Sequence, residues 1–254
     1  MWPLSRPPAR ECLRIGRLAA ERWAGQGAGL ELMATRPLPA HAINEPECLG
    51  QALGELCADK PPGKISLVLE SAWLPLLLAD TGGALLGMGE AEALVRHRLS
   101  SYHGRSGDEL SAWDIRVDYR AGDRFVLGYG LAPRVKHSLL GAAEQAGVRL
   151  DALMPAFVWG WQRLRPPVNT GWWVWPEQDR LLLARAEAGR LVALNPAVPL
   201  GETGAAIERL VQIEAARWGL PVGDDSVTVA SWQQPVQLPA RSQRLVWRSL
   251  AGAL

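Results

Sequence analysis

The chain has 254 residues, of which 48% are hydrophobic and 21% are charged, and its 27 basic and 26 acidic residues leave a net charge of +1. This composition is that of a folded protein with a sizeable core, and it excludes an intrinsically disordered chain. The near-neutral charge is mixed along the sequence, so it provides no basic surface for nucleic acid or for an anionic membrane.

Cysteine usage and hydropathy bear on where the protein acts. Cys12, Cys48 and Cys57 are odd in number and show no C-x-x-C spacing, which favours a reducing cytoplasm. No run approaches eighteen uncharged apolar residues, and prolines interrupt the N-terminal stretch MWPLSRPPAR where an export signal needs an apolar run. The sequence therefore predicts a cytoplasmic protein without direct membrane insertion.

The first part of the chain is predicted to contain strands and two helices. A loop at 82–89 is rich in glycine, but no Lys-Ser or Lys-Thr follows it, so it is not a phosphate-binding P-loop. Apolar periodicity predicts a strand at 11–23, a partner strand at 30–35, a helix from 44 to about 57, strands at 65–69 and 73–78, and a helix at 90–102.

The centre of the chain, residues 113–164, carries the clearest structural signal. Two alternating strands at 113–119 and 125–131 flank a turn, and Pro133 is placed as the first residue of an amphipathic helix that ends at Gly147. A strand at 148–154 and a helix at 156–164 follow. This succession predicts an α/β layer structure, because the helix must cover one face of the sheet.

The second half repeats this order after a proline-rich boundary at 165–171. Its pattern predicts a three-stranded meander at 172–175, 180–186 and 190–194, a helix at 202–218, and strands at 226–230 and 244–247. We therefore predict an actin-like (ribonuclease H-like) duplicated two-lobe α/β fold with mixed sheets and flanking helices. The predicted divisions are a loose N-terminal lead at 1–9, a first lobe at 10–165 and a second lobe at 166–254.

The segment SAWDIRVDYRAGDRFVLGYGLAPRVKHSLLGAAEQAGVRLDALMPAFVWGW resembles the PilM-type pilus-assembly proteins and the cytoplasmic domain of the type II secretion protein GspL. In those families a strand leads through a short turn into a helix that ends in Ala-Gly, and a strand and a proline-started helix follow. The resemblance covers roughly residues 64–195 and is one of pattern more than of identity. It implies the actin-like fold.

Active members of the actin-like superfamily bind ATP through two Asp-x-Gly loops, and the aspartate acts through magnesium. Here Arg14 stands at the first aspartate position, before Ile15 and Gly16, and Pro176 and Glu177 occupy the second loop. An arginine cannot hold magnesium, and Pro176 lacks a backbone N–H. After the strand at 226–230, Gln233, Gln234 and Pro235 replace the glycine pair of the adenosine-side motif. We therefore predict no catalytic residues, no cofactor and no tight ATP binding.

Five tryptophans surround the predicted boundary, and the sequence leaves their role open. Tryptophan is most often a core residue, but it is also enriched at binding hot spots. Adjacent tryptophans at 172 and 173 point to opposite faces of a strand, which argues that some are exposed. We predict that this group is a partner-contact surface: Trp159, Trp161, Trp172, Trp173 and Trp175.

Other constellations carry no chemistry. His97 and His103 lie six residues apart, which is not a same-face helical spacing, so no metal site is predicted.

The PilM resemblance implies a non-catalytic scaffold or adaptor of a type IV pilus or type II-like secretion assembly, which binds a cytoplasmic segment of an inner-membrane partner and reaches the membrane only through it. Self-association is left open. The alternatives are an actin-like ATPase or kinase with displaced motifs, and a free-standing cytosolic α/β protein unrelated to pili.

Overall fold

The computed structural model describes residues 11–26, 29–58, 64–103, 110–164, 170–199, 204–220, 227–232 and 245–250. We call residues 11–164 the first lobe and residues 170–250 the second lobe. The predicted lead at 1–9 and the predicted boundary between residues 165 and 166 lie outside the described residues.

The first lobe contains a five-stranded mixed sheet, the first sheet. Its strands are β1 (Glu11–Ile15), β2 (Ala19–Gln26), β3 (Gly29–Pro37), β4 (Lys64–Leu69) and β8 (Arg149–Pro155). They lie in the order β3-β2-β1-β4-β8. β1 to β3 form an antiparallel meander, β4 runs parallel to β1, and β8 runs parallel to β4.

The second lobe repeats this sheet strand for strand. Its strands are β9 (Gly171–Pro176), β10 (Arg180–Glu187), β11 (Arg190–Pro199), β12 (Val227–Ser231) and β13 (Leu245–Ser249). They lie in the order β11-β10-β9-β12-β13, again with an antiparallel meander followed by two parallel strands. The same order and the same directions in both sheets are the repeat that the sequence predicted.

A third sheet extends the first lobe. It contains β5 (Leu76–Asp80), β6 (Asp114–Asp118) and β7 (Phe125–Leu131) in the order β5-β7-β6, all antiparallel. The helix α2 (Met88–His103) covers one face of this sheet, and its residues Val95 and Leu99 share a separate small core with Ile115 and Val126.

The remaining described helices are α1 (Glu47–Cys57), α3 (Pro133–Gln145), α4 (Ala156–Leu164) and α5 (Gly204–Trp218). α3 begins with Pro133 at its first turn, where the missing N–H leaves no hydrogen bond unmade. It ends before Gly147, whose φ of +64° lies in the left-handed region that favours glycine. α1 packs against α3, and the buried faces of both helices enter the main core.

Three predicted strands have clearly different bounds in the structure. The strand predicted at 190–194 continues to Pro199 as β11. The predicted strand at 11–23 is two strands, because the chain turns at 16–18 and the Gly16 amide donates to the Ala19 carbonyl at 3.0 Å. The predicted strand at 73–78 begins only at Leu76, because the Glu70 carbonyl accepts from the amides of Trp73 and Leu74 in a turn.

One core joins the two lobes. It contains Leu13 of β1 and Leu67 of β4 together with Trp173, Trp175 and Leu182 of the second sheet. α4 contributes Phe157 and Trp159, which are both almost fully buried in it. The lobes are therefore held together by apolar packing as well as by the polar contacts described below.

The tryptophans at 172 and 173 are both buried, so the argument that one of them must be exposed is wrong. β9 is an inner strand with side chains packed on both faces: Trp172 joins the core beneath α5, whereas Trp173 and Trp175 join the core shared with the first lobe. Trp159 is also buried. Of the five predicted contact tryptophans, only Trp161 is partly exposed.

Candidate functional site

Two of the three positions at which the sequence departs from the ATP-binding motifs, Arg14 to Gly16 and Pro176 to Glu177, lie at the contact between the lobes. The β1–β2 turn of the first lobe contacts the β9–β10 turn of the second lobe, and Trp232, directly after β12, lies against Arg14. Gln233, Gln234 and Pro235 lie outside the described residues. The polar side chains that fill this contact are called the cleft network: Arg14, Glu21, Glu70, Ser71, Glu177 and Gln178.

Arg14 is the cation of the cleft network and is 6% exposed. Its Nε donates to Oε1 of Glu70 at 2.8 Å, and its Nη1 donates to Oε2 of Glu21 at 3.0 Å. Its Nη2 also donates to Glu70. Glu21 is opposite Arg14 because the two residues pair across the β1–β2 hairpin, and Glu70 directly follows β4, the parallel neighbour of β1. The guanidinium carbon lies 5.0 Å from the ring centroid of Trp232.

Gln178 fills the space beside the first turn. Its Oε1 accepts from the backbone amides of Leu18 and Ala19 at 2.6 and 2.9 Å, and its Nε2 donates to the Ala19 carbonyl at 3.1 Å. Gly16 makes room for it, because a β-carbon at Gly16 would lie only 2.2 Å from Cδ of Gln178. Gly16 thus admits a side chain of the opposite lobe.

Glu177 caps a turn of the first lobe. Pro176 ends β9, and Glu177 then reaches across the cleft, where its Oε1 accepts from the Ser71 amide at 2.9 Å and its Oε2 meets the Ser71 hydroxyl. Burial raises the pKa of Glu177 to about 8, and the neighbouring Glu70 carboxylate raises it as well. We assign the retained proton to Glu177 because Glu70, whose pKa is also raised by burial, faces the Arg14 guanidinium.

The raised pKa of Glu177 makes the stability of the protein depend on pH. The pKa lies above its ordinary value of 4.5, so this contribution is fully present below pH 4.5 and is lost as the pH rises through about 8. Gln in place of Glu177 keeps an acceptor and a donor for Ser71 and cannot ionise. We therefore expect Glu177→Gln to be more stable than wild type at pH 9, by on the order of 1 kcal/mol or more, with the difference shrinking towards pH 5.

Urea unfolding of both proteins from pH 5 to pH 9 measures this difference. The control is Glu144→Gln on the exposed surface of α3, which should follow wild type at every pH. A Glu177→Gln protein that is less stable than wild type at pH 9 contradicts the assignment of the proton.

The residues of the cleft do not fit a magnesium nucleotide. Arg14 places a positive charge where the metal would be held, and its guanidinium already binds Glu70 and Glu21. The amides of Leu18 and Ala19 in the β1–β2 turn, which could otherwise bind an anionic group, already donate to Gln178. Within the described ranges, no group of three His, Cys, Asp or Glu side chains is arranged to hold a metal ion.

A second concave feature, called the groove, has a volume of about 660 Å³. It lies between the third sheet, α4 and the start of β11, so both lobes line it. An ion pair between Asp123 of the first lobe and Arg190 of the second lobe spans these two sides. Its apolar lining includes Phe125, Leu127, Phe157, Trp161, Leu191 and Val192.

Charged side chains also line the groove. Arg120 and Glu187 join Asp123 and Arg190 in the lining. Trp161 is held in place by neighbouring rings, with centroid distances of 4.8 Å to Trp173 and 5.8 Å to Phe157. Of the tryptophans predicted to contact a partner, Trp161 is the one that lines the groove.

The sequence analysis singled out Arg14, Gly16, Pro176 and Glu177, but it did not identify the residues that contact them, such as Glu70 and Gln178. Glu70 was the easiest of these residues to predict from the sequence, because a single carboxylate directly follows the apolar run ISLVL. Gln178 carried no such signal.

Among the helices described, none combines the length and the apolar character needed to cross a bilayer.

Solved structures share this architecture. The cytoplasmic domain of EpsL, an inner-membrane component of the type II secretion system of Vibrio cholerae, matches with a TM-score of 0.56 and 12% identity, over 96% of this chain and 90% of that one. A Bacteroides thetaiotaomicron protein with an actin-like ATPase fold and unknown function gives 0.55 and 9%, over 89% and 82%. The PilM-PilN type IV pilus biogenesis complex gives 0.52 and 17%, over 85% and 68%.

No protein-family model matches the chain, and no curated protein matches it in sequence. At these low identities, the structural matches establish the fold and nothing finer. They confirm the predicted resemblance to the PilM and GspL proteins as a likeness of fold, and they confirm that the chain has an actin-like fold.

Proposed function

We propose that this protein is a non-catalytic adaptor at the cytoplasmic face of a pilus or type II-like secretion assembly, where its groove binds a short cytoplasmic segment of an inner-membrane protein. The observation that carries the proposal is the groove itself, a concavity of about 660 Å³ between the lobes that is lined by both apolar and charged side chains, in a chain whose cleft is filled by its own side chains. Two proteins of similar fold belong to such assemblies by description, the EpsL domain and the PilM-PilN complex.

The shape and chemistry of the groove fit a peptide better than a metabolite. Its lining contains aromatic and aliphatic side chains, which suit an apolar anchor side chain, and charged side chains of both signs. Arg120 and Arg190 can pair with acidic positions of a bound segment, and Asp123 and Glu187 can pair with basic ones. Such a segment needs no cofactor, and binding would leave the core between the lobes undisturbed.

Trp161→Ala is the variant that tests the groove. Truncation removes a large apolar surface from the groove lining, so we expect the affinity for the partner segment to fall at least about tenfold. The measurement is calorimetric titration with synthetic peptides that cover the cytoplasmic segments of inner-membrane proteins encoded in neighbouring genes.

The matched control is Trp218→Ala on α5, an indole that is 41% exposed and is not among the groove residues. It should bind the peptide like wild type. Equal binding by Trp161→Ala would reject the groove as the site, and no binding of any such peptide by wild type would reject the adaptor role.

An actin-like ATPase remains the second candidate, because one similar structure is described as having an actin-like ATPase fold. Magnesium and ATP separate the two candidates. A ligand at a hundred times its dissociation constant adds about 2.7 kcal/mol of stability, so a clear rise in melting temperature with both present would favour the ATPase.

A further inference from the structure

Four hydrogen bonds at the cleft network join a backbone amide of one lobe to a side-chain oxygen of the other. The amides of Leu18 and Ala19 in the first lobe donate to Gln178 of the second lobe, and the Ser71 amide donates to Glu177. One bond runs the other way, from the Gln178 amide to Oε2 of Glu70 at 3.1 Å. All four bonds cross between the lobes.

This is the arrangement that a bound metal phosphate would otherwise supply. Convergent backbone amides bind anionic oxygens, and a cation among the carboxylates neutralises the charge that accumulates there. Here the oxygens on the first-lobe amides belong to the uncharged Gln178 and Glu177 side chains, and the guanidinium of Arg14 balances the carboxylates of Glu70 and Glu21. An exposed ion pair between Arg17 and Asp179 lies at the edge of the same contact.

We propose that the cleft network is an internal substitute for a magnesium nucleotide, which holds the two lobes in one fixed orientation without any ligand. Gln178 and Glu177 take the place of phosphate oxygens on the amides of the first lobe, and Arg14 takes the place of the metal ion. The proposal goes beyond the adaptor role and does not depend on it, because it concerns the cleft and not the groove.

The position of Gly16 favours an internal substitute for a ligand over an ordinary contact between two domain surfaces. Its missing side chain is what lets the Gln178 carboxamide reach both amides of the turn, and any β-carbon would lie 2.2 to 2.6 Å from the carboxamide atoms. The Trp73 indole also donates to the Gly16 carbonyl at 2.7 Å, so the turn is fixed from the other side as well. The turn thus retains room for an acceptor, and the acceptor comes from the protein itself.

The test is hydrogen exchange at the amides of Leu18 and Ala19, read residue by residue by NMR. In wild type both amides should be protected, and magnesium with ATP should change neither rate. In Gln178→Ala both should exchange about tenfold faster, because each loses its acceptor. The control Arg17→Met removes the exposed ion pair between Arg17 and Asp179 without changing the Asp179–Arg180 pair, and it should leave both rates within about twofold of wild type.

Three results would overturn the proposal. The first is unchanged exchange at both amides in Gln178→Ala. The second is exchange in wild type at the rate of an unstructured chain. The third is added protection of these amides by magnesium and ATP, which would mean that the nucleotide displaces Gln178. The last two need only the wild-type protein, so they apply even where Gln178→Ala does not fold.

Discussion

Replacing Gly160 by alanine should lower the free energy of unfolding by about 3 kcal/mol or more. Gly160 lies in α4, and a β-carbon there would come within 2.1 Å of Cη2 and 2.2 Å of Cζ3 of Trp175. Trp175 is fully buried in the core that both lobes share, so its ring has no free volume into which it can move. The helix must therefore shift away from the second sheet, which loosens the packing between the lobes. Urea unfolding measures the change.

Gly141→Ala is the matched control, because it makes the same substitution in another helix. A β-carbon at Gly141 in α3 would meet no atom within 4 Å. Alanine is the better helix former, so this variant should gain up to about 1 kcal/mol of stability. Opposite signs for the two variants would show that the Gly160–Trp175 contact decides the outcome; a stable Gly160→Ala protein would show that α4 is not packed against β9 as described.

The sequence predicts most helices and strands of this fold because their apolar periodicity is a local property. β4, β7 and α3 lie close to their predicted bounds for this reason. The split of 11–23 into β1 and β2 was missed because only Gly16 and Arg17 separate the apolar residues Ile15 and Leu18, and no proline or second glycine marks the turn. The comparison with the Asp-x-Gly loop indicated a turn at this position, whereas the apolar periodicity did not.

The tryptophans show a different limit of sequence reasoning. Their burial depends on which strands and helices flank β9, and these neighbours are distant in sequence: β12 on one edge and α5 across one face. The strand pattern correctly implied that Trp172 and Trp173 point to opposite faces. It could not show that both faces are covered, since that follows from the arrangement of the whole second lobe around its central strand.

The cleft network illustrates the same limit for polar groups. Arg14 could be recognised as incompatible with magnesium from its position alone, but its partner Glu70 lies 56 residues further along the chain. In the folded protein, the Arg14 guanidinium is the counter-ion of the buried Glu70 carboxylate. Removing it should therefore lower the free energy of unfolding by a measurable amount.

Arg14→Met should lower the free energy of unfolding by about 3 to 5 kcal/mol at neutral pH. Methionine fills similar space but leaves the fully buried Glu70 with only the Gln178 amide as a partner. Without the guanidinium, the pKa of Glu70 rises further above its ordinary value, so the loss of stability should grow as the pH increases and shrink in acid. Glu21 is affected less, because its Oε2 also accepts from the Trp23 indole at 2.9 Å.

The double variant Arg14→Met/Glu70→Gln should recover the larger part of that loss, since a neutral amide at position 70 still accepts from Gln178, and the carboxylate of Glu21, which also loses Arg14, keeps the Trp23 indole as a donor. Arg17→Met provides the comparison within the same turn: its ion pair with Asp179 is exposed, and its removal should cost less than about 1 kcal/mol. Urea unfolding of the four proteins at pH 5, 7 and 9 completes the test. A single Arg14→Met variant as stable as Arg17→Met, or a double variant no more stable than the single one, would mean that Arg14 and Glu70 are not coupled and that the cleft is closed by apolar packing alone.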